Sequence, residues 1–325
     1  MAVYDPRGGG NVHIDKVLTG ISMGYENNAF VGDVLAPVVN VAKQSDLYYE
    51  FGREGWQQEP DSDLRAPGTP AIEIPGLTVA TNPYFAVEHA LKIPVTDEEI
   101  ANADSPLNPM SDGTELLTDK ILLGIELTVH GIATTAANYA TGHSSTLAGT
   151  DQWDDAGSSP ILDYRAARTQ IHGAIFKEPT VAITPYQVMA SLENHADFIE
   201  RIKYSERGIL TKDIIAAVVG VANIVVPGVG YNSANPGQAD AFGYIWGKDV
   251  VIAYVPPRAG MKIPAYMYRF NWGFGGSRAM LTDRWRDNDR VAEMLRVRAR
   301  YDHKLIAVDG SGDSTAGYVY KAAVS

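Results

Sequence analysis

The chain has 325 residues, of which 45% are hydrophobic and 20% are charged, and it has a formal net charge of -12 and no cysteine. This composition is that of an ordinary globular protein, and the lack of cysteine excludes disulfides, thiolate metal sites and a cysteine nucleophile. The negative charge argues against a protein whose main affinity comes from clustered lysine and arginine on phosphates, but it is compatible with a container around nucleic acid.

Residues 1–30 predict an N-terminal arm and not a domain. They are rich in glycine, asparagine and small polar side chains, with only scattered apolar residues. Such a segment is either disordered or ordered by lying on another surface. It lacks the continuous apolar stretch of a signal peptide, and no run in the chain approaches membrane length. The sequence therefore predicts a cytoplasmic protein with no membrane partner.

Residues 46–95 predict a long hairpin. An aromatic strand at 46–56 is followed by a polar tip at 57–76 and a return strand at 77–95. Apolar and polar residues alternate in the return strand, which gives it one apolar face. A two-stranded hairpin has no layer of its own to cover that face. The hairpin therefore needs a partner surface on another subunit, or else it packs on its own subunit as an edge hairpin.

Residues 112–139 predict one long helix, called the spine helix below. Asp112 is a suitable N-cap, and Glu115 stands at the N3 position of a capping box. At 1.5 Å per residue the helix is roughly 40 Å long. One stripe of it changes from bulky to small residues: Leu117, Ile121, Gly124, Thr128, Gly131 and Thr135. Because glycine costs about 1 kcal/mol of helix stability relative to alanine, its two glycines predict a second backbone packed closely against that stripe.

The remainder of the chain predicts an α+β protein. A second helix is expected at 160–172. A compact mixed domain at 181–275 contains short strands, helices and a long loop rich in glycine, asparagine and proline. The chain then ends in a long strand at 290–301 and two shorter strands at 304–308 and 317–323.

No motif in the sequence predicts catalysis, a cofactor or a metal. Residues 275–279 resemble a nucleophile elbow around Ser277, but alanine replaces the last glycine and no helix pattern follows. The histidines are dispersed, without the spacing of metal ligands. Two groups of aspartates lack the spacing of a calcium loop and are typical of solvated turns: Asp151, Asp154 and Asp155, and Asp309 and Asp313. The sequence therefore assigns no catalytic, cofactor-binding or metal-binding residue.

Three arginines occupy alternate positions of the predicted strand at 290–301. Arg296, Arg298 and Arg300, together called the arginine row, project from one face of the strand, while the residues between them project from the other. Arginine suits bidentate contacts with carboxylate or phosphate groups. Three interpretations stay open: a solvated strand face, pairing with acidic groups of a neighbouring subunit, or contact with packaged nucleic acid.

The order of these parts resembles the major capsid protein of tailed bacteriophages, whose fold encapsulin nanocompartments also use. The resemblance covers essentially the whole chain. It rests mainly on the hairpin directly before the spine helix and on the closing strands that begin with RVRARYDHKLIAVDG. It implies an N-terminal arm at 1–30, an extended hairpin loop at 44–94 and an axial domain at 181–275. The peripheral domain, which contains the spine helix, comprises the remaining parts: 31–43, 95–180 and 276–325.

The resemblance implies a structural protein, and not an enzyme, that assembles with copies of itself into hexamers and pentamers. These close into an icosahedral shell around double-stranded DNA, so the protein is expected in the virion after assembly in the host cytoplasm. Further implied partners are scaffolding, portal and decoration proteins, with weak non-specific contact to the packaged DNA. The alternatives are an encapsulin-like shell subunit, or a hydrolase that uses Ser277.

The resemblance also lays the extended hairpin loop across the peripheral domain of a neighbouring subunit. The hairpin carries acidic residues near its tip, and the arginine row lies in the peripheral domain. We therefore predict a contact between subunits in which two sets of residues meet: Glu54, Glu59, Asp61 and Asp63 on one subunit, and Arg296, Arg298 and Arg300 on the other.

Overall fold

The structure is a computed structural model that describes residues 13–14, 30–50, 64, 67–71, 80–104, 107–203, 210–235, 237–260, 263–273 and 280–325. Its helices are α1 (Gly32–Leu35), α2 (Asp97–Asn102), α3 (Pro109–Thr134), α4 (Pro160–Ile175), α5 (Tyr186–Glu193), α6 (Ala196–Ile202) and α7 (Lys212–Val219). Its strands are β1 (His13–Ile14), β2 (Val38–Val41), β3 (Ser45–Tyr49), β4 (Thr81–Phe85), β5 (Val87–Thr96), β6 (Ser144–Thr146), β7 (Val181–Ile183), β8 (Asn223–Val225), β9 (Gly230–Asn232), β10 (Phe242–Tyr244), β11 (Val250–Ala253), β12 (Met267–Trp272), β13 (Met280–Asp287), β14 (Ala292–Leu305) and β15 (Gly317–Lys321). Helices and strands both contribute to the body of the protein, which confirms the predicted α+β class.

The first sheet is organised around β14, a strand of 14 residues. The strand order is β1-β13-β14-β12-β2, and β5 also pairs with β14. These pairings are antiparallel except that of β2, which runs parallel to β12. Residues of β14 alternate between buried and partly exposed, so one face of the strand belongs to the core and the other carries the arginine row. The predicted alternation along this strand is confirmed.

The second sheet has five strands in the order β6-β15-β11-β7-β8. All residues of β11 are buried, as expected for the central strand of a covered sheet. Helix α4 packs on this sheet, and its fully buried Tyr164 contacts Trp153 at 5.2 Å between ring centroids. The late strand β15 lies between β11 and β6, so the end of the chain completes a sheet begun much earlier. One hydrophobic cluster includes buried residues of both sheets and of α3 and α4.

The spine helix is α3, and it begins and ends earlier than the sequence predicts. Asn108 is its N-cap, and the side-chain oxygen of Asn108 accepts a 3.2 Å hydrogen bond from the amide of Met110. Pro109 occupies the first turn, where its fixed φ suits a helix and its missing N–H is not needed. The predicted cap at Asp112 with Glu115 is therefore wrong. The helix has 26 residues, or about 39 Å at 1.5 Å per residue, which agrees with the predicted length.

The small-residue half of the predicted stripe on α3 faces away from the core, so this prediction is wrong. A Cβ atom added at Gly124 or Gly131 would meet no atom of the described residues within 4 Å. The close approach occurs instead at Gly113, where an added Cβ would lie 3.3 Å from Leu295 Cδ1 and 3.5 Å from Ile93 Cγ2. After Ile121 the buried stripe advances in steps of four residues, whereas the predicted stripe alternates steps of three and four. The buried members are Ile121, Ile125, Val129 and Ala133.

Two glycine substitutions on α3 test this orientation. Gly113→Leu is expected to lower the free energy of unfolding by about 1 to 3 kcal/mol, because the new side chain must displace Leu295 and Ile93. Gly131→Leu is expected to leave the free energy of unfolding unchanged or to raise it by up to about 1 kcal/mol, since leucine is a better helix former than glycine and the position is open. Chemical denaturation of the monomeric chain measures both changes. Equal losses at the two positions would contradict the assigned face.

The base of the predicted hairpin is formed by β3 and β4. These strands pair antiparallel, with Ser45 opposite Phe85 and Tyr49 opposite Thr81. The return strand does not continue unbroken as predicted: it is interrupted at Ala86, and β5 then joins the first sheet beside β14. Most of the predicted tip lies outside the described residues.

Aromatic packing fixes the base of the hairpin to its own subunit. The buried rings of Tyr48 and Tyr84 lie 5.4 and 4.8 Å from that of Phe270, measured between centroids. Next to them, the amide of Phe85 donates a 2.9 Å hydrogen bond to the carboxylate of Asp302. The base of the hairpin is therefore held in place by contacts within the chain.

Candidate functional site

The arginine row lies beside two carboxylates of the same chain. Arg296 and Arg298 both donate to Asp283, at 2.8 and 2.9 Å from their Nη2 atoms, and Arg300 Nε donates to Glu88 at 2.5 Å. Asp283 is fully buried, whereas the side chain of Glu88 is 39% exposed. The strand register explains these pairs, because Asp283 stands opposite Arg296 on β13 and Glu88 stands opposite Arg300 on β5.

Two tryptophans complete this face of the first sheet. The guanidinium carbon of Arg296 lies 5.1 Å from the ring centre of Trp285, and that of Arg300 lies 4.8 Å from the ring centre of Trp272. The face of an indole ring attracts a cation placed over it. Carboxylates and rings together hold the guanidinium groups in place, so the arginine row is an ordered, partly buried layer of charge and not a solvated strand face.

The acidic residues predicted to contact the arginine row from another subunit lie outside the described residues: Glu54, Glu59, Asp61 and Asp63. Their contact with the arginine row stays a prediction, but the pairs within the chain change how it should be tested. Replacing Arg298 would leave the buried carboxylate of Asp283 poorly compensated, which destabilises the subunit itself. A charge change at the hairpin tip is therefore a cleaner test than one in the arginine row.

Glu126, in the middle of the spine helix, is a buried carboxylate whose role sequence analysis does not predict. It is 1% exposed and accepts hydrogen bonds from the amides of Val31 at 3.1 Å and Gly32 at 2.6 Å, and from the indole nitrogen of Trp246 at 2.5 Å. Burial raises the pKa of Glu126, and the three donors oppose that rise because they stabilise the charged form. In the sequence, Glu126 is marked only as a charged residue within an apolar stretch of the predicted helix.

The contacts of Glu126 join three separate parts of the chain. They tie the entry helix α1 and the segment around Trp246, just before β11, to the spine helix. The backbone of α1 comes so close that a Cβ added at Gly32 would lie 2.8 Å from Glu126 Oε2. On β12, buried Arg269 holds α1 from another side through its ion pair with Asp33. Glu126 is therefore a structural centre of the subunit.

Ser158 and His195 lie close together, but their hydrogen bonds exclude a nucleophile activated by a base. Ser158 Oγ is 3.1 Å from His195 Nε2, and both side chains are buried. His195 caps α6 through Nδ1, which accepts a 3.2 Å hydrogen bond from the amide of Asp197. The proton of the neutral ring is therefore on Nε2, which cannot take a proton from Ser158. Ser277, the serine considered from the sequence, lies outside the described residues.

Two of the aspartates considered as cation ligands are engaged in local turns. Asp155 accepts the amide of Gly157 at 2.8 Å, and Asp309 accepts that of Ser311 at 2.9 Å. Within the described ranges, no group of three or more histidine, cysteine or acidic side chains is placed to hold a metal ion. None of the helices that the structure describes is long and apolar enough to cross a membrane.

The known proteins that are similar to this chain include phage and phage-related proteins. The chain is 30% identical over 248 residues to the major capsid protein of Burkholderia phage BcepMu, which covers 76% of this chain and 78% of that protein. It is 26% identical over 245 residues to the major capsid protein of Pseudomonas phage JBD67, which covers 74% of this chain and 77% of that protein. The crystal structure of a phage-related protein from Bordetella bronchiseptica RB50 matches with a TM-score of 0.74 and 24% identity, over 95% of this chain and 97% of that one. No protein-family model matches the chain.

Proposed function

The chain belongs to the major capsid proteins of tailed bacteriophages, and from this premise we propose that its copies form hexamers and pentamers that close into an icosahedral shell around double-stranded DNA. The observation that carries the proposal is the sequence identity with a phage major capsid protein over most of both chains. The hairpin base supports it, because the packing of Tyr48 and Tyr84 on Phe270 holds the start of the proposed extended loop on its own chain. The protein is a structural component of the virion.

We propose a division of the chain that follows from this architecture. Residues 1–30 form the arm, 44–94 the extended hairpin loop, and 181–275 the axial domain, which meets its copies at the centre of each ring. The peripheral domain comprises three stretches: 31–43, 95–180 and 276–325. Because β6 and β15 pair within the sheet that also contains β7, β8 and β11, one sheet crosses the boundary between the axial and peripheral domains.

The proposed partners are, besides other copies of the chain, scaffolding, portal and decoration proteins, and the packaged DNA through weak non-specific contacts. Assembly takes place in the host cytoplasm. The role is structural, and no residue is assigned a part in catalysis. An encapsulin-like shell and a hydrolase using Ser277 are less favoured, because the curated relatives are phage capsid proteins.

We also propose that the acidic hairpin tip contacts the arginine row of a neighbouring subunit. The support is the order of the arginine row: Asp283, Glu88 and the two tryptophans hold its guanidinium groups in fixed positions. A guanidinium has five N–H donors, so each arginine can serve a second carboxylate without giving up the first.

Neutralising two tip residues, Glu59→Gln with Asp61→Asn, is expected to weaken assembled particles and leave the unfolding of the subunit unchanged. Each exposed ion pair contributes only about 0 to 1 kcal/mol, but the pair repeats at every interface of a shell. Salt screens such pairs, with a Debye length of about 8 Å at physiological ionic strength. The measurement is the urea concentration at which particles dissociate, followed by light scattering at low and high salt.

The matched control carries the same change of charge on α2 and α3, as Glu98→Gln with Glu115→Gln, at exposed positions outside the proposed loop and axial domain. We expect the tip variant alone to dissociate at a lower urea concentration, and only at low salt. A midpoint identical to that of the unmodified particles at both salt concentrations would refute the contact.

A further inference from the structure

A cavity of about 390 Å³ lies between the base of the hairpin and the edge of the first sheet that ends with β2. It is lined by residues of β2, β3, β4 and β12, and of the segments before β12 and after β14. Six of the lining residues have apolar or aromatic side chains that point to one kind of ligand: Val41, Tyr48, Tyr84, Tyr268, Phe270 and Ile306. Protein interiors have few voids larger than a water molecule, whereas small-molecule sites have volumes of about 300 to 1,000 Å³. The cavity therefore has the size of a ligand site.

The aromatic walls of the cavity are held in place by one another. The rings of Tyr48 and Tyr84 both pack on that of Phe270, and all three side chains are buried. Tyr268, two positions before Phe270 on β12, is 4% exposed. Because these rings are already packed, a ligand would not have to order them, which lowers the free-energy cost of binding.

The interior of the cavity favours an uncharged molecule. Two charged residues line it, Lys43 and Asp46, and they pair with each other at 3.1 Å. Their side chains are 72% and 47% exposed, so this ion pair lies at the mouth. An apolar cavity holds water poorly and binds apolar molecules, while a charge moved into it would lose its hydration without a partner.

One hydrogen-bond donor in the cavity wall is left over. The hydroxyl groups of Tyr48 and Tyr84 donate to backbone oxygens at 3.4 and 3.1 Å. The hydroxyl oxygen of Tyr268 instead accepts the amide of Gly260 at 3.3 Å, and no residue in the described ranges accepts the proton that this hydroxyl carries. A hydroxyl can donate and accept at once. Since Gly260 and Tyr268 both line the cavity, the Tyr268 proton is available to an acceptor oxygen of a ligand.

We propose that this cavity binds a small uncharged molecule with an aromatic or branched aliphatic body and one acceptor oxygen, such as that of a ketone. The body packs between the rings of the hairpin base and those of β12, and the oxygen accepts the hydroxyl proton of Tyr268. This inference goes beyond the proposed function and does not depend on it, because residues of a single chain form the cavity.

A molecule in the cavity contacts both the hairpin base and the first sheet. Tyr48 and Tyr84 belong to the base, whereas Tyr268 and Phe270 belong to β12. Occupancy therefore restrains the base relative to the sheet. Because a ligand that binds only the folded state stabilises that state by mass action, it should also raise the unfolding temperature of the chain.

Fluorescence titration of the full chain with prodan, an uncharged dimethylamino-naphthalene ketone, tests the site. Prodan emission shifts to shorter wavelength in apolar surroundings, and we expect saturable binding at one site per chain. Val41→Trp fills the cavity from β2 and should lower the affinity at least tenfold. Leu162→Trp on α4, where the leucine is 56% exposed, adds the same side chain elsewhere and should keep the affinity within twofold.

A second cavity-filling variant guards against misfolding of the first. Ala259→Trp enters the cavity from an exposed position before β12 and should lower the affinity as Val41→Trp does, while circular dichroism shows that each variant folds. Prodan should raise the unfolding temperature of the unmodified chain but not that of a folded cavity-filling variant. No saturable binding to the unmodified chain, or equal affinity in all four proteins, would overturn the proposal. Neither result depends on whether the chain forms particles.

Tyr268→Phe tests the hydrogen bond to the ligand. It should lower the affinity for prodan at least threefold and leave that for naphthalene, measured by displacement of prodan, within twofold, because naphthalene has no acceptor oxygen. Equal weakening of both ligands, or of neither, would refute the role of the Tyr268 hydroxyl.

Discussion

Replacing residues 57–76 with a short glycine and serine turn is expected to abolish particle formation and to leave a folded subunit. The base of the hairpin does not depend on its tip, because Tyr48 and Tyr84 pack on Phe270 of the same chain. The tip residues that the structure describes, 64 and 67–71, are all exposed, with Leu64 at 85%. Their removal therefore costs the subunit core little, while the neighbour loses the extended loop that the proposed architecture lays across it.

Circular dichroism and thermal unfolding report on the fold of this variant, and sedimentation velocity reports on its assembly. A second variant replaces the tip with glycine and serine at unchanged length. Comparing the two variants distinguishes the loss of specific side-chain contacts from the loss of loop length. We expect both variants to keep the unfolding midpoint within a few degrees of the unmodified subunit and to sediment as small species. Normal particles from the shortened variant would show that the hairpin tip does not hold subunits together.

Glu126→Leu is expected to be the most destabilising single substitution considered for the subunit, at about 3 to 5 kcal/mol. It removes the acceptor for three buried donors, the amides of Val31 and Gly32 and the indole of Trp246. Each donor left buried without a partner costs about 1 to 3 kcal/mol. Glu126→Gln should cost less, since its amide oxygen still accepts, although its NH₂ group cannot.

Chemical denaturation of unassembled subunits measures these losses. Glu115→Leu, at an exposed position of the same helix, is the matched control and should change stability by no more than about 0.5 kcal/mol. A double-mutant cycle with Trp246→Phe should give a coupling of about 1 kcal/mol or more, because the two side chains are hydrogen-bonded. Equal unfolding midpoints for Glu126→Leu and Glu115→Leu would show that the buried hydrogen bonds of Glu126 do not stabilise the fold.

Patterns local in sequence predicted local structure well. The alternation along β14 and the existence and length of the spine helix follow from periodicities of two and 3.6 residues. The first residue of the helix could not be predicted from periodicity. Asn108 and Asp112 are both good caps, and the proline at position 109 favours Asn108. Which stripe of the helix is buried also depends on tertiary packing, and the buried stripe diverges from the predicted one after Ile121.

The candidate site was predicted as a set of side chains but not as a set of contacts. Alternation placed the arginine row on one face, yet the partners Asp283 and Glu88 follow only from the register of β13 and β5 against β14. Glu126 stands 120 positions from Trp246 and 95 from Val31 in sequence, so no local pattern connects them. The position of β15 beside β6 and β11 is likewise set by long-range pairing.

Electron microscopy of the purified chain tests the central claim most directly, since a shell subunit and a protein of any other class differ in the size and symmetry of what they form. The account predicts closed particles of uniform diameter whose surface is built from rings of five and six subunits. A preparation that contains only folded monomers or small oligomers, across protein concentrations and with scaffolding protein supplied, would contradict it.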